Sequence, residues 1–256
     1  MQSKVEVPTS STQWKDQEIK ARDADAEDYF DYCRRSLGPY GDRGQVKLVL
    51  GAVAPTRDAR VLDAGCGVGR FALPLASQVR SILAVDYSSA SIEVLQGELA
   101  KRGLTNVTTD VGDLTSMKLP PDTFDLAIAP GVIHHIPSTE SRLKAMRNIL
   151  SSLKPGGRLG VLVYRWGGNI RKSMPKEGMH ASHIYYFAFT VEEARKMMEE
   201  AGYVDIRIRG FLSLPRRITA RLPGWMSWLE PIVAQFPWSV LTSHSLLLFG
   251  RRPASS

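Results

Sequence analysis

The segment RVLDAGCGVG, Arg60 to Gly69, is the feature that most restricts the fold of this chain. A short apolar run ends in Asp63, and Gly65, Gly67 and Gly69 follow at alternate positions. A strand that passes through glycines into a helix presents free backbone N–H groups and the positive end of a helix dipole, and glycine lets a ligand approach the backbone. The segment therefore predicts a strand, a binding loop and a helix in succession.

Apolar runs typical of strands alternate with helical patterns along the chain. The first five runs are ARVLDAG, SILAVDYS, NVTTDVGD, FDLAIAPG and GRLGVLVYR. Such alternation predicts an α/β fold with βαβ units and right-handed crossovers, that is, a doubly wound, mostly parallel sheet with helices on both faces. Two later runs, YVDIRIRGF and SHSLLLFGRR, are expected to pair antiparallel at the sheet edge.

The other segments divide the chain into a helical N-terminal part and one main domain. A polar leader precedes two predicted helices, DAEDYFDYCRRSL and DRGQVKLVLGAV, so residues 1–55 form a helical lid segment and residues 56–256 the main domain. Thr190 and Glu193 fit a capping box that begins a helix ending near Ala201. The stretch RWGGNIRKSMPKEGMHASH is expected to be irregular, and a basic, aromatic insertion occupies about 212–242.

Two ligand classes use such a glycine loop. Dinucleotides require the spacing G-x-G-x-x-G, whereas S-adenosylmethionine loops have an acidic residue two positions before the first glycine and the spacing G-x-G-x-G. This chain has the second spacing, with Asp63 before Gly65. A carboxylate there is unfavourable beside a pyrophosphate but favourable near an ammonium and a sulfonium. The charges favour the methyl donor and leave a dehydrogenase as a weaker alternative.

Two further carboxylates follow the second and third strands. Asp86 is expected to accept hydrogen bonds from both ribose hydroxyls, because an acid about 20 residues after the first glycine serves this purpose in nucleotide-binding folds. Asp113 could accept from the adenine amino group, and Leu114 or Tyr87 could pack on the ring. Together with the loop, these acids predict a nucleoside site at successive strand ends.

The chain resembles the class I S-adenosylmethionine-dependent methyltransferases, and especially the ubiquinone and menaquinone biosynthesis C-methyltransferases. The matching motifs are VLDAGCGVG, AVDYS, GDLTSMKLPPDTFDLAIAPGVIHHI and LKPGGRLGVLV, over roughly residues 58–165. The resemblance implies a Rossmann-like methyltransferase fold with seven strands in the order 3-2-1-4-5-7-6, the last antiparallel. The insertion departs from the family pattern and leaves the substrate class open.

The resemblance also assigns roles to residues. The methionyl part would be lined by Asp63, Gly65 and Gly67, and its amino group would face Ala129 and Pro130 after strand four. The ribose would be bound by Asp86, and the adenine by Asp113 and Leu114. The full set of predicted cofactor-binding residues is Asp63, Gly65, Cys66, Gly67, Gly69, Asp86, Tyr87, Asp113, Leu114, Ala129 and Pro130. Tyr29, Tyr32 and Tyr40 are equally consistent with closing over the cofactor and with packing elsewhere.

Methyl transfer from a sulfonium requires mainly that nucleophile and methyl group be close and aligned, and a general base helps when the acceptor must lose a proton. His134 and His135 follow strand four, at the edge where α/β sheets bind ligands, and are the candidate catalytic residues. Local packing is the alternative role for this pair, and His180 and His183 are the next candidates. No metal site is predicted, because the histidines lack zinc-like spacing.

Charge is distributed unevenly along the chain. Residues 154–183 contain six Lys and Arg and only one Glu, and residues 203–256 contain seven Arg and only two acidic residues, Asp205 and Glu230. Such basic segments suit phosphates, acidic groups or an anionic membrane, although a solvated surface is equally consistent. The N-terminal segment lacks the apolar core of a signal peptide, so a cytoplasmic location is expected.

These observations lead to one hypothesis and its alternatives. We expect a monomeric or homodimeric methyltransferase that uses S-adenosylmethionine and a small-molecule acceptor, bulky, aromatic or lipid-like. In the insertion, arginines precede Trp225, Trp228 and Trp238, a combination that suits peripheral membrane contact, a lid, base stacking or simple packing. An RNA (tRNA) methyltransferase and a non-catalytic cofactor-binding regulator remain as alternatives.

Overall fold

A seven-stranded sheet supports the whole structure. The computed structural model describes residues 11–167, 175–180, 182, 184–214, 216–219 and 221–254. The sheet strands are β1 (Arg60–Ala64), β2 (Ser81–Asp86), β3 (Val107–Val111), β4 (Phe124–Pro130), β5 (Leu153–Tyr164), β8 (Val204–Phe211) and β9 (Ser245–Arg251), and β6 (Glu177–Met179) and β7 (Tyr185–Phe187) form a separate hairpin.

The helices pack on both faces of the sheet and at its edge. They are α1 (Ser11–Asp25), α2 (Tyr29–Val53), α3 (Ala72–Ala76), α4 (Ser89–Arg102), α5 (Thr139–Ser152), α6 (Val191–Ala201), α7 (Arg216–Thr219), α8 (Leu229–Val233) and α9 (Ser239–Thr242), with short 3-10 helices at Ile133–His135 and Gly224–Trp228. None of the described helices is long and apolar enough to cross a membrane.

The strand order is β3-β2-β1-β4-β5-β9-β8. Strands β1 to β5 are parallel, and β9 runs antiparallel to both β5 and β8. Counting only the strands of this sheet, the order is 3-2-1-4-5-7-6 with the last strand antiparallel. The predicted Rossmann-like topology is therefore confirmed.

Alternation along each strand divides the core into two layers. In β1, Val61 belongs to one apolar cluster with α2, α3 and α4, whereas Leu62 belongs to the other, with α5 and α6. Since successive strand side chains point to opposite faces, one continuous apolar run supplies both layers. This burial on both faces explains why the strands read as uninterrupted apolar segments.

The N-terminal prediction was partly wrong. The segment taken as a polar leader contains α1, and the two predicted helices are the two halves of α2. A break at Gly38, with a φ of 73°, and Pro39 separates those halves. Because α1 is strongly polar, its sequence carries little of the apolar periodicity by which an amphipathic helix is recognised.

Two further boundaries differ from the prediction. The stretch expected to be irregular contains strand β6, which pairs with β7 just after it, and strand β5 starts at Leu153, before the apolar run that predicted it. Pro155 and the following glycines thus lie in the extended start of β5, where the missing proline N–H is tolerated at the end of a strand. The capping box at Thr190 and Glu193 is confirmed.

The insertion forms a helical cap, the described residues of 212–242, that packs against α2 and β8. Glu230 of α8 is fully buried and accepts hydrogen bonds from the Tyr40 hydroxyl at 2.8 Å and the Leu212 amide at 2.7 Å. Ser239 of α9 accepts from the Gly210 amide at 3.3 Å. Tyr40 is therefore a core residue that anchors the cap, and it does not reach toward the ligand cleft.

Glu230→Ala should detach the cap from α2. Removal of the carboxylate leaves the Tyr40 hydroxyl and the Leu212 amide buried without their acceptor, which should lower the free energy of unfolding by about 1–3 kcal/mol. Chemical denaturation followed by circular dichroism measures the change. The exposed control Glu199→Ala should stay close to wild type, and an equally small effect of Glu230→Ala would contradict the anchoring role.

Candidate functional site

The main cleft lies at the carboxyl ends of β1, β2, β3 and β4. The chain order reverses between β1 and β4, and such a switch point leaves a crevice above the strand ends. Of the predicted site residues, nine line this cleft: Gly65, Cys66, Gly67, Asp86, Tyr87, Asp113, Leu114, Pro130 and His135. The structure thus brings together residues that are up to 70 positions apart in the sequence.

The three positions of the loop require glycine for different structural reasons. All have positive φ, at 74° for Gly65, 50° for Gly67 and 87° for Gly69. A Cβ on Gly65 would lie 2.6 Å from Val132 Cβ, and one on Gly69 would lie 2.3 Å from Leu95 Cδ1. A Cβ on Gly67 would meet nothing within 4 Å. Gly65 and Gly69 therefore permit close packing, whereas Gly67 faces open space in the cleft.

Asp86 joins the end of β2 to the glycine loop. One of its carboxylate oxygens accepts from the Gly67 amide at 2.8 Å, and the other accepts from the Ser88 amide at 3.0 Å. Since an ionised carboxylate has about four acceptor positions, two remain for a ligand. The side chain lines the cleft and is largely buried, which raises its pKa although the two amides oppose the shift.

Asp63 lies beneath the loop and does not line the cleft. It is fully buried, and neither carboxylate oxygen accepts a hydrogen bond of normal geometry. Burial, and then repulsion from the Asp86 carboxylate, raise the pKa of Asp63 to about 8, and the Ala72 amide only partly opposes this rise. The structure therefore contains a buried carboxyl group that a nearby cation would stabilise in its charged form.

Ala129 and Gly69 also lie behind the cleft wall. Ala129, in β4, is completely buried in one apolar layer of the core, and Gly69 packs on Leu95. Pro130 and Gly131, the next residues after Ala129, line the cleft instead. At the adenine end, Asp113 accepts from the Thr115 amide at 2.7 Å and forms an ion pair with Lys15.

Helix α1 covers the cleft with charged residues that the sequence analysis missed. Lys15, Glu18 and Arg22 line the cleft and are spaced three and four residues apart, on one side of the helix. Glu18 is almost completely buried, and this burial raises its pKa. The spacing of these charges was the signal available in the sequence. Because α1 covers it, the cleft has a free volume of only about 100 Å³.

A second cavity of about 360 Å³ opens beside the cleft. Both spaces are lined by Tyr29, Arg70, Pro130, Gly131 and His135. The second cavity extends from these shared residues over the end of β5 to the cap. We call it the acceptor cavity, since a ligand in it would share that wall with a ligand in the cleft.

Aromatic and histidine rings crowd around Tyr164 in the acceptor cavity. Its ring centroid lies 3.9 Å from that of His134 and 5.9 Å from those of His180 and His244. His134 and His135 are themselves 4.1 Å apart. Tyr32 also lines this cavity, whereas His183 lies outside the described residues. The arrangement is a wall of flat, amphipathic rings.

His135 is held in one tautomer by the β6–β7 hairpin. Its Nδ1 lies 2.6 Å from the Tyr185 carbonyl oxygen, which can only accept, so Nδ1 carries the proton and Nε2 is the acceptor of the ring. Burial, and then the charges of His134 and Arg22, lower the pKa of His135 well below its usual value. The ring is therefore neutral at pH 7.

Arg142 holds the segment that carries both histidines. Its guanidinium donates to the Ile136 carbonyl at 2.9 Å and lies 4.3 Å from the Phe187 ring centroid. Helix α5 is thereby tied both to the 3-10 helix of His134 and His135 and to the hairpin that bonds His135.

Cys33 and Cys66 form no disulfide, and burial raises the pKa of both thiols. Residues 11–167, with the later described segments, contain no group of three or more His, Cys, Asp or Glu that could hold a metal ion.

Comparison with known proteins finds similarity that is concentrated in the central segment. Residues 61–157 match the family model described as a methyltransferase domain. A 2-heptyl-1-hydroxyquinolin-4(1H)-one methyltransferase from Mycobacteroides abscessus is 36% identical over 104 residues, 41% of this chain and 45% of that protein. A probable tRNA methyltransferase 9B from Mus musculus is 34% identical over 108 residues, 41% of this chain and 21% of that protein. The chain thus spans less than half of the length of these relatives.

Solved structures share the fold over more of the chain. A Burkholderia thailandensis 1,6-didemethyltoxoflavin-N1-methyltransferase, with bound 1,6-didemethyltoxoflavin and S-adenosylhomocysteine, has a TM-score of 0.67 at 20% identity and covers 98% of this chain and 94% of its own. The [4+2]-cyclase SpnF has a TM-score of 0.59 at 23% identity and covers 82% and 80%. At such identities the likeness establishes the fold alone.

Asp63→Asn should change how stability depends on pH. A carboxyl group whose pKa is higher in the folded state than in the unfolded state contributes to stability below the unfolded-state pKa, near 4. This contribution to the free energy of unfolding is lost as pH rises toward about 8. The unfolding free energy of the wild type should therefore fall relative to Asp63→Asn between these pH values, by at most about 1.4 kcal/mol per pH unit. Denaturation of both proteins across this range is the measurement, and parallel curves would contradict a neutral buried Asp63.

Proposed function

We propose that this protein is a methyltransferase that uses S-adenosylmethionine and methylates a small-molecule acceptor bound in the acceptor cavity. The observation that carries the proposal is the shared wall of the cleft and the acceptor cavity, with His135 in it. A nucleoside site with carboxylates at strand ends lies on one side of that wall. An aromatic cavity lies on the other side.

The residues of the cleft fit S-adenosylmethionine. Gly67 leaves open space for close approach, and Asp86 has acceptor positions available for ribose hydroxyls. Beneath the loop, the buried carboxyl group of Asp63 accepts no hydrogen bond of normal geometry. Ligand sites of this kind commonly occupy about 300–1,000 Å³, so α1 must move outward for the cofactor to enter. Its polar contacts, Lys15 with Asp113 and Asp23 with Ser88, are of a kind that water can replace.

The bound cofactor would supply an activated methyl group on a sulfonium, for in-line displacement by an electron-rich atom. The protein then has to hold the acceptor in line and exclude water, which converts a bimolecular step into an effectively unimolecular one. Pro130, Gly131 and Tyr29 form the boundary between the two spaces. The ring wall around Tyr164 would orient a flat acceptor against that boundary.

His135 is the proposed general base. Its Nδ1–H donates to Tyr185, so the Nε2 lone pair is available to take a proton from an acceptor O–H, N–H or C–H group. A neutral ring is required for this step, and the lowered pKa keeps it neutral. His134 packs against Tyr164 and is proposed to orient the acceptor.

The acceptor class is proposed to be bulky and aromatic or lipid-like. The crowded rings and a cavity of about 360 Å³ suit a flat amphipathic molecule. Similar proteins carry names that specify a hydroxyquinolone or toxoflavin precursor acceptor, which is consistent with this class. The finer resemblance to quinone C-methyltransferases stays a prediction.

An RNA substrate is the second candidate. The match to a tRNA methyltransferase and the basic segments favour it, although the match covers 21% of that relative. A transfer assay with labelled methyl donor and two acceptor sets, hydroxylated aromatic compounds and bulk tRNA, separates the candidates. Transfer to the aromatic set supports our proposal, and transfer to tRNA alone contradicts it. Cofactor binding with no transfer to either would favour a non-catalytic regulator.

Asp86→Asn should weaken cofactor binding. The variant keeps the side-chain shape but replaces a charged acceptor of the ribose hydroxyls by a neutral amide, a loss expected to weaken affinity by about tenfold to a hundredfold. Titration with S-adenosylhomocysteine measures it. Asp110→Asn, an exposed change on the neighbouring strand β3, is the matched control. Equal affinities of the two variants would contradict the ribose assignment.

His135→Asn should separate catalysis from structure. The asparagine amide can still donate to the Tyr185 carbonyl, but the acceptor nitrogen is lost. Transfer should slow by about 100- to 10,000-fold for an acceptor that must be deprotonated, with unchanged cofactor affinity and thermal midpoint. A wild-type rate in a folded variant would show that the hydrogen bond to Tyr185 is the only role of His135.

A further inference from the structure

The outer side of the cap carries a concentration of exposed apolar side chains. Of ten large apolar residues that are exposed in the described part of the chain, seven belong to the cap. They are Ile218, Trp225, Trp228, Ile232, Phe236, Trp238 and Leu241. We call these seven residues the aromatic surface. Soluble proteins rarely leave such groups clustered without a binding purpose.

The backbone of the cap places these residues on its outer side. Trp225, Trp228 and Ile232 follow one another at intervals of three and four in the continuous helical stretch Gly224–Val233, which is the spacing of one helix face. The rings of Phe236 and Trp238 stack, with centroids 5.9 Å apart. Five of the seven residues of the aromatic surface therefore lie in two ordered groups.

Polar groups fix the opposite side of the cap to the protein. Ser227, Glu230 and Ser239 are completely buried, between the exposed aromatic positions in sequence. Glu230 bonds to Tyr40 and Leu212, and Ser239 bonds to Gly210 and Ala234. The inner side of the cap is thus held by hydrogen bonds and by apolar side chains, such as Leu212 and Ala234, that pack in the core, and the aromatic surface is left outward.

The charges around the aromatic surface are positive. Glu230 is the single acidic residue in the sequence of the cap, and it is buried, whereas Arg221 is exposed. The side chain of Arg43 packs against Gly224, next to Trp225, and Arg43, Lys47 and Trp225 line one groove between α2 and the cap. Asp42 in that groove pairs with Arg70. The side chains of Arg216 and Arg217 lie outside the described residues.

The inner wall of the cap belongs to the acceptor cavity. Leu212, Leu214 and Thr219 line that cavity. One short segment therefore separates the cavity from whatever covers the aromatic surface.

We propose that the aromatic surface docks on an anionic lipid bilayer, with its tryptophans at the interface and Arg43, Lys47 and Arg221 against lipid phosphates. Tryptophan favours the interface because its ring is apolar and its N–H is polar, and basic side chains near the surface add electrostatic attraction. Pro223, Pro231 and Pro237 keep the cap helices short, so the segment lies on the bilayer and does not span it.

Vesicle co-sedimentation of the full chain tests the docking. The wild type should bind vesicles that contain phosphatidylglycerol, bind phosphatidylcholine vesicles less, and lose affinity at high salt. The double variant Trp225→Ser, Trp228→Ser should bind at least about tenfold more weakly, while the matched control Val111→Ser, Val204→Ser, which alters exposed apolar residues elsewhere, should bind as the wild type does. Retained binding by the tryptophan variant would overturn the proposal.

A second pair of variants tests how much the positive charge contributes to vesicle binding. Arg221→Glu should weaken binding to the anionic vesicles by at least about fivefold, and Lys144→Glu, an exposed lysine of α5, should leave it unchanged. Equal losses would overturn the assignment of the surface. If the wild type binds neither kind of vesicle, the proposal fails. Light scattering would then test for a second copy as the occupant, and RNA titration would test for RNA. Binding is read without methyl transfer, so this result stands apart from the proposed function.

Discussion

The hydrogen bond from the Gly67 amide to the Asp86 carboxylate is the contact on which the cleft depends. It connects a loop that leaves β1 with the last residue of β2, and the second Asp86 oxygen fixes the following turn through Ser88. A carboxylate that accepts two amides in a buried setting has a defined position. The open side of Gly67 and the acceptor positions of Asp86 therefore face the same space.

Helices α1 and α2, which lie outside the sheet, close the cleft through polar contacts. Lys15 pairs with Asp113, Ser88 bonds to Asp23, and Arg70 pairs with Asp42 of α2. These contacts join α1 and α2 to the strand ends, whereas the strands themselves are held by two apolar layers. Helix α2 also belongs to one of these apolar layers, whereas α1 is polar, an arrangement that lets α1 move while the apolar frame keeps its geometry.

The sequence was sufficient for the sheet and most of the cleft, for a physical reason. Parallel strands buried on both faces are continuous apolar runs, so β1, β2 and β4 are visible as such, and the polar residues after them must share one edge. The charges of α1 were not predicted, because a polar helix has no apolar stripe and its position depends on partners such as Asp113. Likewise, the bond between His135 and Tyr185 joins residues 50 positions apart through a hairpin that the sequence did not indicate.

Calorimetric titration of the purified protein with S-adenosylhomocysteine and with NADH tests the central claim, that the glycine loop and the acids around it bind the nucleoside of a methyl donor. Our account predicts saturable binding of S-adenosylhomocysteine at one site and none of NADH. Binding of NADH in its place would assign the loop to a dinucleotide, and binding of neither by the folded protein would contradict the account.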